Sequence, residues 1–137
     1  MLLVEDNPDF ALLLQEAFGE VHSINDLKVV RDGSELMQFL RQEGEFAGQP
    51  RPNMILLDLD LPGKYGLEVL KELKADAEYT AIPVIVLTGS NNPADIKQSY
   101  LLGANCFIER PAEFAALTAI VDRLEKFWFS IAQLPGQ

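Results

Sequence analysis

Met54-Ile55-Leu56-Leu57-Asp58-Leu59-Asp60-Leu61-Pro62 carries an apolar run that delivers a carboxylate at its end, and a proline stops the strand soon after. A run this apolar suits a strand covered on both faces, as in a parallel sheet between helix layers. Asp58 is then expected at a strand's carboxyl end, on the edge where open α/β sheets bind ligands.

Three other runs end in the same way. Leu2-Leu3-Val4 leads into Glu5-Asp6, with Asn7 placed to cap a helix and Pro8 to open it. Pro83-Val84-Ile85-Val86-Leu87 ends in the hydroxyl of Thr88, and the strand around Cys106-Phe107-Ile108 runs into Glu109-Arg110-Pro111. Any one of these polar residues reads as well as a solvated loop residue or a helix cap. Together, in a parallel sheet, they converge on one edge.

The rest of the chain supports that arrangement. Asp9 to Phe18 has Phe10, Leu13, Leu14, Ala17 and Phe18 at helical spacing. Leu27-Lys28-Val29-Val30 reads as a strand, and Ser34 to Arg41 as a helix opened by Asp32-Gly33. Glu43 to Pro52 contains Gly44, Gly48, Pro50 and Pro52 and is expected to be an exposed loop. Leu67 to Lys74 is predicted helical; Asn92-Pro93 opens a helix to about Leu102, ended by Gly103. Glu113 to about Ile131 is a final helix with Leu117, Ile120, Val121, Leu124 and Phe127 on its stripe. Five strands alternating with five helices predict an α/β fold, a doubly wound five-stranded parallel sheet with helices on both faces.

With 137 residues and 48% hydrophobic content, the chain reads as one domain with a real core. No apolar run approaches the roughly 20 residues of a membrane span, and acids follow the first apolar residues where a signal peptide would have bases before them. Cys106 is alone, which excludes a disulfide framework and a thiolate metal site; it reads as a buried small side chain. A net charge of −10 argues against nucleic acid as a partner. Cytoplasmic residence is the default expectation.

If Glu5, Asp6 and Asp58 come within about 4 Å of one another, each ionised pair costs up to ~4 kcal/mol at an effective dielectric of 20. Such a cluster must take up a proton or a cation. Oxygen-only ligands select a hard cation, and a few carboxylates that leave waters in place suit Mg²⁺ better than Zn²⁺. His22, the only histidine, lies in a loop-like stretch and is given no metal role. Magnesium beside a carboxylate, a hydroxyl and a fixed cation makes a phosphoryl-transfer site with Asp58 as nucleophile.

The set Glu5-Asp6, Asp58, Thr88 and a basic residue before Pro111 resembles the receiver domain of two-component response regulators, the CheY-like family, over nearly the whole chain. Thirty residues separate Asp58 from Thr88 and 22 separate Thr88 from Arg110, each room for one strand-to-strand crossover. Gly66 falls where the family has its glycine. Leu87-Thr88-Gly89-Ser90-Asn91-Asn92-Pro93-Ala94-Asp95-Ile96, Ser99-Tyr100, Ala104-Asn105-Cys106-Phe107 and Phe127-Trp128-Phe129 resemble the single-domain subgroup that partners phytochrome histidine kinases. The resemblance implies a flavodoxin-like sheet of order 2-1-3-4-5. It also implies a phosphoacceptor that assists its own phosphorylation and hydrolysis, rather than an enzyme acting on a separate substrate. Asp58 would accept the phosphoryl group from a kinase histidine. Mg²⁺ would be held by Glu5, Asp6, Asp58 and the backbone carbonyl of Asp60. Thr88 would bond a phosphoryl oxygen, and the Phe107 rotamer would report the movement; by its residues alone Phe107 is ordinary core.

Arg110 departs from the family's usual lysine. Arginine keeps the charge but brings a planar fork and a longer reach, so the change is not conservative at a tight site; Glu109 beside it is a candidate partner. Asp60 is a second departure, adding charge where related sequences often have an amide or an apolar residue. No output domain is visible, so the expected output is protein contact, with residues 1–137 forming one receiver domain, a helical extension and a short tail. Phe127, Trp128 and Phe129 are consecutive and cannot all face one core, which points to an interface and to a homodimer built on the last helix, the fifth strand and the tail. Two rival readings stand beside this one. A haloacid-dehalogenase-type phosphatase is suggested by Asp58-Leu59-Asp60, against the order of its motifs. A phosphorylation-independent pseudo-receiver is favoured by Arg110.

Overall fold

Leu2–Val4 (β1) and Ile55–Leu57 (β3) are buried at every position, and this follows from alternation within an unbroken apolar run. Ile55 and Leu57 face one core cluster, while Met54 and Leu56 face another on the opposite side of the sheet. In this computed structural model, which describes residues 1–19 and 27–135, the sheet is parallel with order β2-β1-β3-β4-β5. The remaining strands are β2 (Lys28–Val30), β4 (Val84–Thr88) and β5 (Cys106–Glu109). His22, given no metal role, lies outside the described residues.

The helices are α1 (Pro8–Gly19), α2 (Gly33–Leu40), α3 (Gly66–Ala75), α4 (Pro93–Leu101) and α5 (Phe114–Leu124). On one face of the sheet, Phe10, Leu14 and Phe18 of α1 pack with Leu117, Val121 and Leu124 of α5. Leu36, Phe39 and Leu40 of α2 and Val69, Leu70 and Leu73 of α3 cover the other face. The helix starts are those the sequence signals. Asn7 Oδ1 accepts from the N–H groups of Asp9 (2.9 Å) and Phe10 (3.2 Å). Asp32 caps α2 through Glu35 N–H, and Asn92 caps α4 through Ala94 N–H. Gly103 takes φ +106° after α4, a conformation that favours glycine.

Three expectations are refined in detail. Leu13 lies off the buried stripe and is 40% exposed, because the buried arc of α1 centres on Phe10, Leu14 and Phe18. The Gly/Pro-rich loop contains one 3₁₀ turn, Gly44–Phe46. The final helix does not continue as α to Ile131: after Leu124 it widens to a π turn over Glu125–Phe129. The wider i→i+5 turn shifts the helical phase, so Phe127 leaves the stripe and is 51% exposed, while Trp128 and Phe129 pack against the α1/α5 cluster. Cys106 is half-buried rather than buried, and burial pushes its thiol up from the ordinary value, which disfavours the thiolate. No described helix is long and apolar enough to cross a membrane.

Candidate functional site

The register of the parallel ladders brings the strand ends level, so each site residue follows directly from its strand. Val4 pairs with Leu57 and Val30, and Leu57 with Val86. One further backbone bond then fixes each residue beyond. Glu5 N–H donates to Val30 O (2.9 Å), Asp58 N–H to Val4 O (3.1 Å) and Arg110 N–H to Thr88 O (2.7 Å). Gly66 holds the far side of the acid loop. Its N–H donates to Leu59 O at 2.8 Å, and a Cβ there would lie 2.5 Å from both Asp58 O and Leu59 Cα.

Glu5, Asp58 and Thr88 are all buried, whereas Asp6 and Asp60 are exposed beside them. Arg110 joins the two buried acids: Nη2 lies 2.7 Å from Glu5 Oε1 and 3.4 Å from Asp58 Oδ2. Glu109, the suggested partner, is exposed. Glu5 Oε2 accepts from Asn7 N–H at 3.0 Å. Burial nevertheless pushes the Glu5 carboxyl up to about 7; the Asp58 charge adds to the rise, and the Asn7 N–H and Arg110 oppose it. Asp58 Oδ1 is buried without a hydrogen-bond partner. It faces a depression of about 290 Å³ lined by Asp58, Asp60, Tyr65, Thr88, Ser90 and Arg110, together with Gly89. A larger groove, about 780 Å³, lies between α2 and α3 and is lined by none of these residues.

The sequence reading missed Phe10, Tyr65 and Ser90 as parts of this site. Phe10 carries the Arg110 guanidinium on its ring at 3.8 Å from the centroid. Tyr65 and Ser90 both donate to Asp95 Oδ2, at 3.2 and 2.6 Å, tying the loop before α3 to the first turn of α4. Phe10 was absorbed into the α1 stripe, and nothing periodic marks Tyr65. Phe107 is half-buried against the α2/α3 core, and its N–H donates to Tyr100 Oη at 3.0 Å, linking β5 to α4.

Among the described residues, no three His, Cys, Asp or Glu side chains are gathered in metal-binding geometry, and Glu5, an expected ligand, is engaged by Arg110. The donor chemistry still fits a hard divalent cation. Asp58 keeps an unpaired buried oxygen, Asp60 lines the same depression, and Asp6, next to Glu5 in the chain, is exposed.

A sequence model of the response regulator receiver domain matches residues 1–122. The chain belongs to this family. It is 42% identical over 136 residues to the response regulator Rcp1 of Synechocystis, covering 99% of this chain and 92% of that one. The crystal structure of the phosphorylated cyanobacterial phytochrome response regulator RcpA superposes with a TM-score of 0.91 at 48% identity, covering 98% of this chain and 96% of RcpA. The Mn²⁺-bound form of Rcp1 gives 0.89 at 43%, covering 98% and 97%. The protein is therefore a receiver-domain response regulator homologous to the phytochrome response regulators Rcp1 and RcpA, a phosphorelay signalling protein, which implies a histidine kinase partner. Receiver domains bind divalent metal.

Proposed function

We propose that Asp58 is the phosphoacceptor, that a phytochrome-class histidine kinase is the donor, and that Mg²⁺ is the metal. The observation that carries this is the buried Asp58 carboxylate, one oxygen of which has no partner, opening on a depression lined by Thr88 and Arg110. A carboxylate oxygen attacks the phosphorus of a phosphohistidine; the P–N bond breaks as the P–O bond forms, leaving an acyl phosphate on Asp58 and neutral histidine after proton uptake. Arg110 stabilises the charge on the transferring group, and Thr88 donates its hydroxyl to a phosphoryl oxygen. Asp6, Asp58 and the Asp60 carbonyl would hold the metal, with Glu5 anchoring Arg110 beside it; bound Mg²⁺ supplies charge neutralisation at the phosphoryl oxygens. Hydrolysis by water at phosphorus returns the carboxylate and releases phosphate. RcpA crystallised phosphorylated and Rcp1 with Mn²⁺, which supports both parts of the reading.

We further propose that residues 1–137 act as one cytoplasmic receiver unit with a C-terminal extension. Output passes by protein contact through a switch at Thr88 and Phe107. A homodimer uses the region of Phe127, Trp128 and Phe129, and neither nucleic acid nor membrane is a partner. The test is intact mass after incubation with acetyl phosphate and Mg²⁺: one phosphoryl group on the wild type and none on Asp58→Asn. A modified Asp58→Asn chain would mean that the acceptor is misassigned. The second reading, a phosphorylation-independent pseudo-receiver, is favoured by the ion pairs that Arg110 already makes to both acids. It predicts no mass change on the wild type.

A further inference from the structure

Arg110 is held on more than its charge. Its guanidinium carbon lies 3.8 Å from the Phe10 ring centroid, while Nη2 reaches Glu5 Oε1 at 2.7 Å and Asp58 Oδ2 at 3.4 Å. An aromatic face attracts the face of a planar cation and leaves its N–H edge for carboxylate or phosphoryl oxygens. An ammonium has no such division between face and edge. Phe10 is itself fixed: it is 7% exposed, packed in the α1/α5 core, and its N–H is bonded to Asn7 Oδ1. Asn7 in turn donates to Glu5 Oε2. The entry to α1 therefore grips both the acid that Arg110 pairs with and the ring on which it rests.

We infer that Phe10 is a positioning residue for phosphoryl transfer, holding the Arg110 guanidinium beside Asp58 so that it can exchange Glu5 for a phosphoryl oxygen without leaving the site. The inference rests on Asp58 as acceptor. Arg110 Nε, buried without a partner, keeps a further donor in reserve. Residues 10 and 110 are on this view a matched pair: the ring matters because the cation is an arginine.

A double-mutant cycle tests the pairing, with phosphorylation by acetyl phosphate and Mg²⁺ followed in the wild type, Phe10→Leu, Arg110→Lys and the double variant. Phe10→Met, whose unbranched and adaptable side chain fills irregular gaps, serves as a second ring-free variant should leucine fail to fold. Removing the ring should slow transfer in the arginine protein about tenfold, yet alter the Arg110→Lys protein by less than about twofold, since the two residues act as a unit. The Arg110 Nε–H resonance should also be ring-current shifted in the wild type and lose that shift in the ring-free variant, whether or not phosphate is present. Effects that multiply, or a ring-free protein phosphorylated as fast as wild type, overturn the positioning role and leave the acceptor assignment standing. A wild-type chain that takes up no phosphoryl group overturns the acceptor reading and any role of Phe10 in transfer with it.

Discussion

Glu5 and Arg110 show how burial and pairing compete at single residues. The guanidinium 2.7 Å away favours an ionised Glu5, yet desolvation wins and the carboxyl rises to about 7. With Arg110 gone, Glu5 and Asp58 would face each other without a cation, and one of them would retain a proton. Arg110→Ala is therefore expected to lower folding stability by about 1–2 kcal/mol; the value is below that of a fully buried pair because the guanidinium is a quarter exposed. The same variant should abolish the coupling between phosphorylation and dimerisation, whereas Arg110→Lys keeps phosphorylation and strengthens the coupling; sedimentation with and without phosphodonor reads both. Coupling in Arg110→Ala equal to wild type would remove the cation from the switch. Asp6 is exposed and free of the Arg110 pairs, so its charge is available to a metal. Asp6→Asn, or a chelator, should slow phosphorylation at least tenfold, a loss of ~1.4 kcal/mol of transition-state stabilisation. Equal rates with and without Mg²⁺ would sink that role.

The elements present these residues through tight backbone packing, and glycine substitutions probe it. A Cβ at Gly66 would meet two backbone atoms at 2.5 Å, neither of which can yield without moving Asp58 or Leu59. Gly66→Ala should cost about 1–3 kcal/mol in denaturant unfolding and slow phosphorylation beyond what the unfolded fraction explains. Gly89 has open space around an added Cβ, so Gly89→Ala should stay within about 0.5 kcal/mol of wild type. A Gly66→Ala protein as stable and as fast as wild type would show that the close approach is not required. Such packing explains what was legible in the sequence. Strands buried on both faces are continuous apolar runs, so Ile55–Leu57 and Val84–Thr88 announce themselves, and the residues after them follow from parallel register. Helix starts were legible because Asn7, Asp32 and Asn92 bond their own first turns. The Phe10–Arg110 contact joins positions 100 residues apart in chain and was invisible to any local pattern, as was the Tyr65–Asp95 bond. The π turn was hidden for a different reason: Leu117, Val121 and Leu124 keep α spacing up to the residue where it begins.

On the scale of the molecule, the π turn decides which aromatic is available to a partner. Trp128 and Phe129 pack on the α1/α5 core, while Phe127 is 51% and Ile131 68% exposed. The two sit four residues apart and are joined by Ile131 N–H to Phe127 O at 3.2 Å, forming an apolar pair at the end of the extension. Truncating before Phe127 would remove core contacts together with this surface, so loss of a dimer in that variant would not separate folding from association. Point substitutions do. Phe127→Ser should leave the unfolding midpoint within about 0.5 kcal/mol of wild type, as expected of an exposed site, and shift sedimentation toward the monomer. Trp128→Ala should instead lower stability by about 1–3 kcal/mol, less than the 3–5 typical of a fully buried large aromatic because Trp128 is only partly buried. A Phe127→Ser protein that stays as dimeric as wild type at equal concentration would place the interface elsewhere on the molecule.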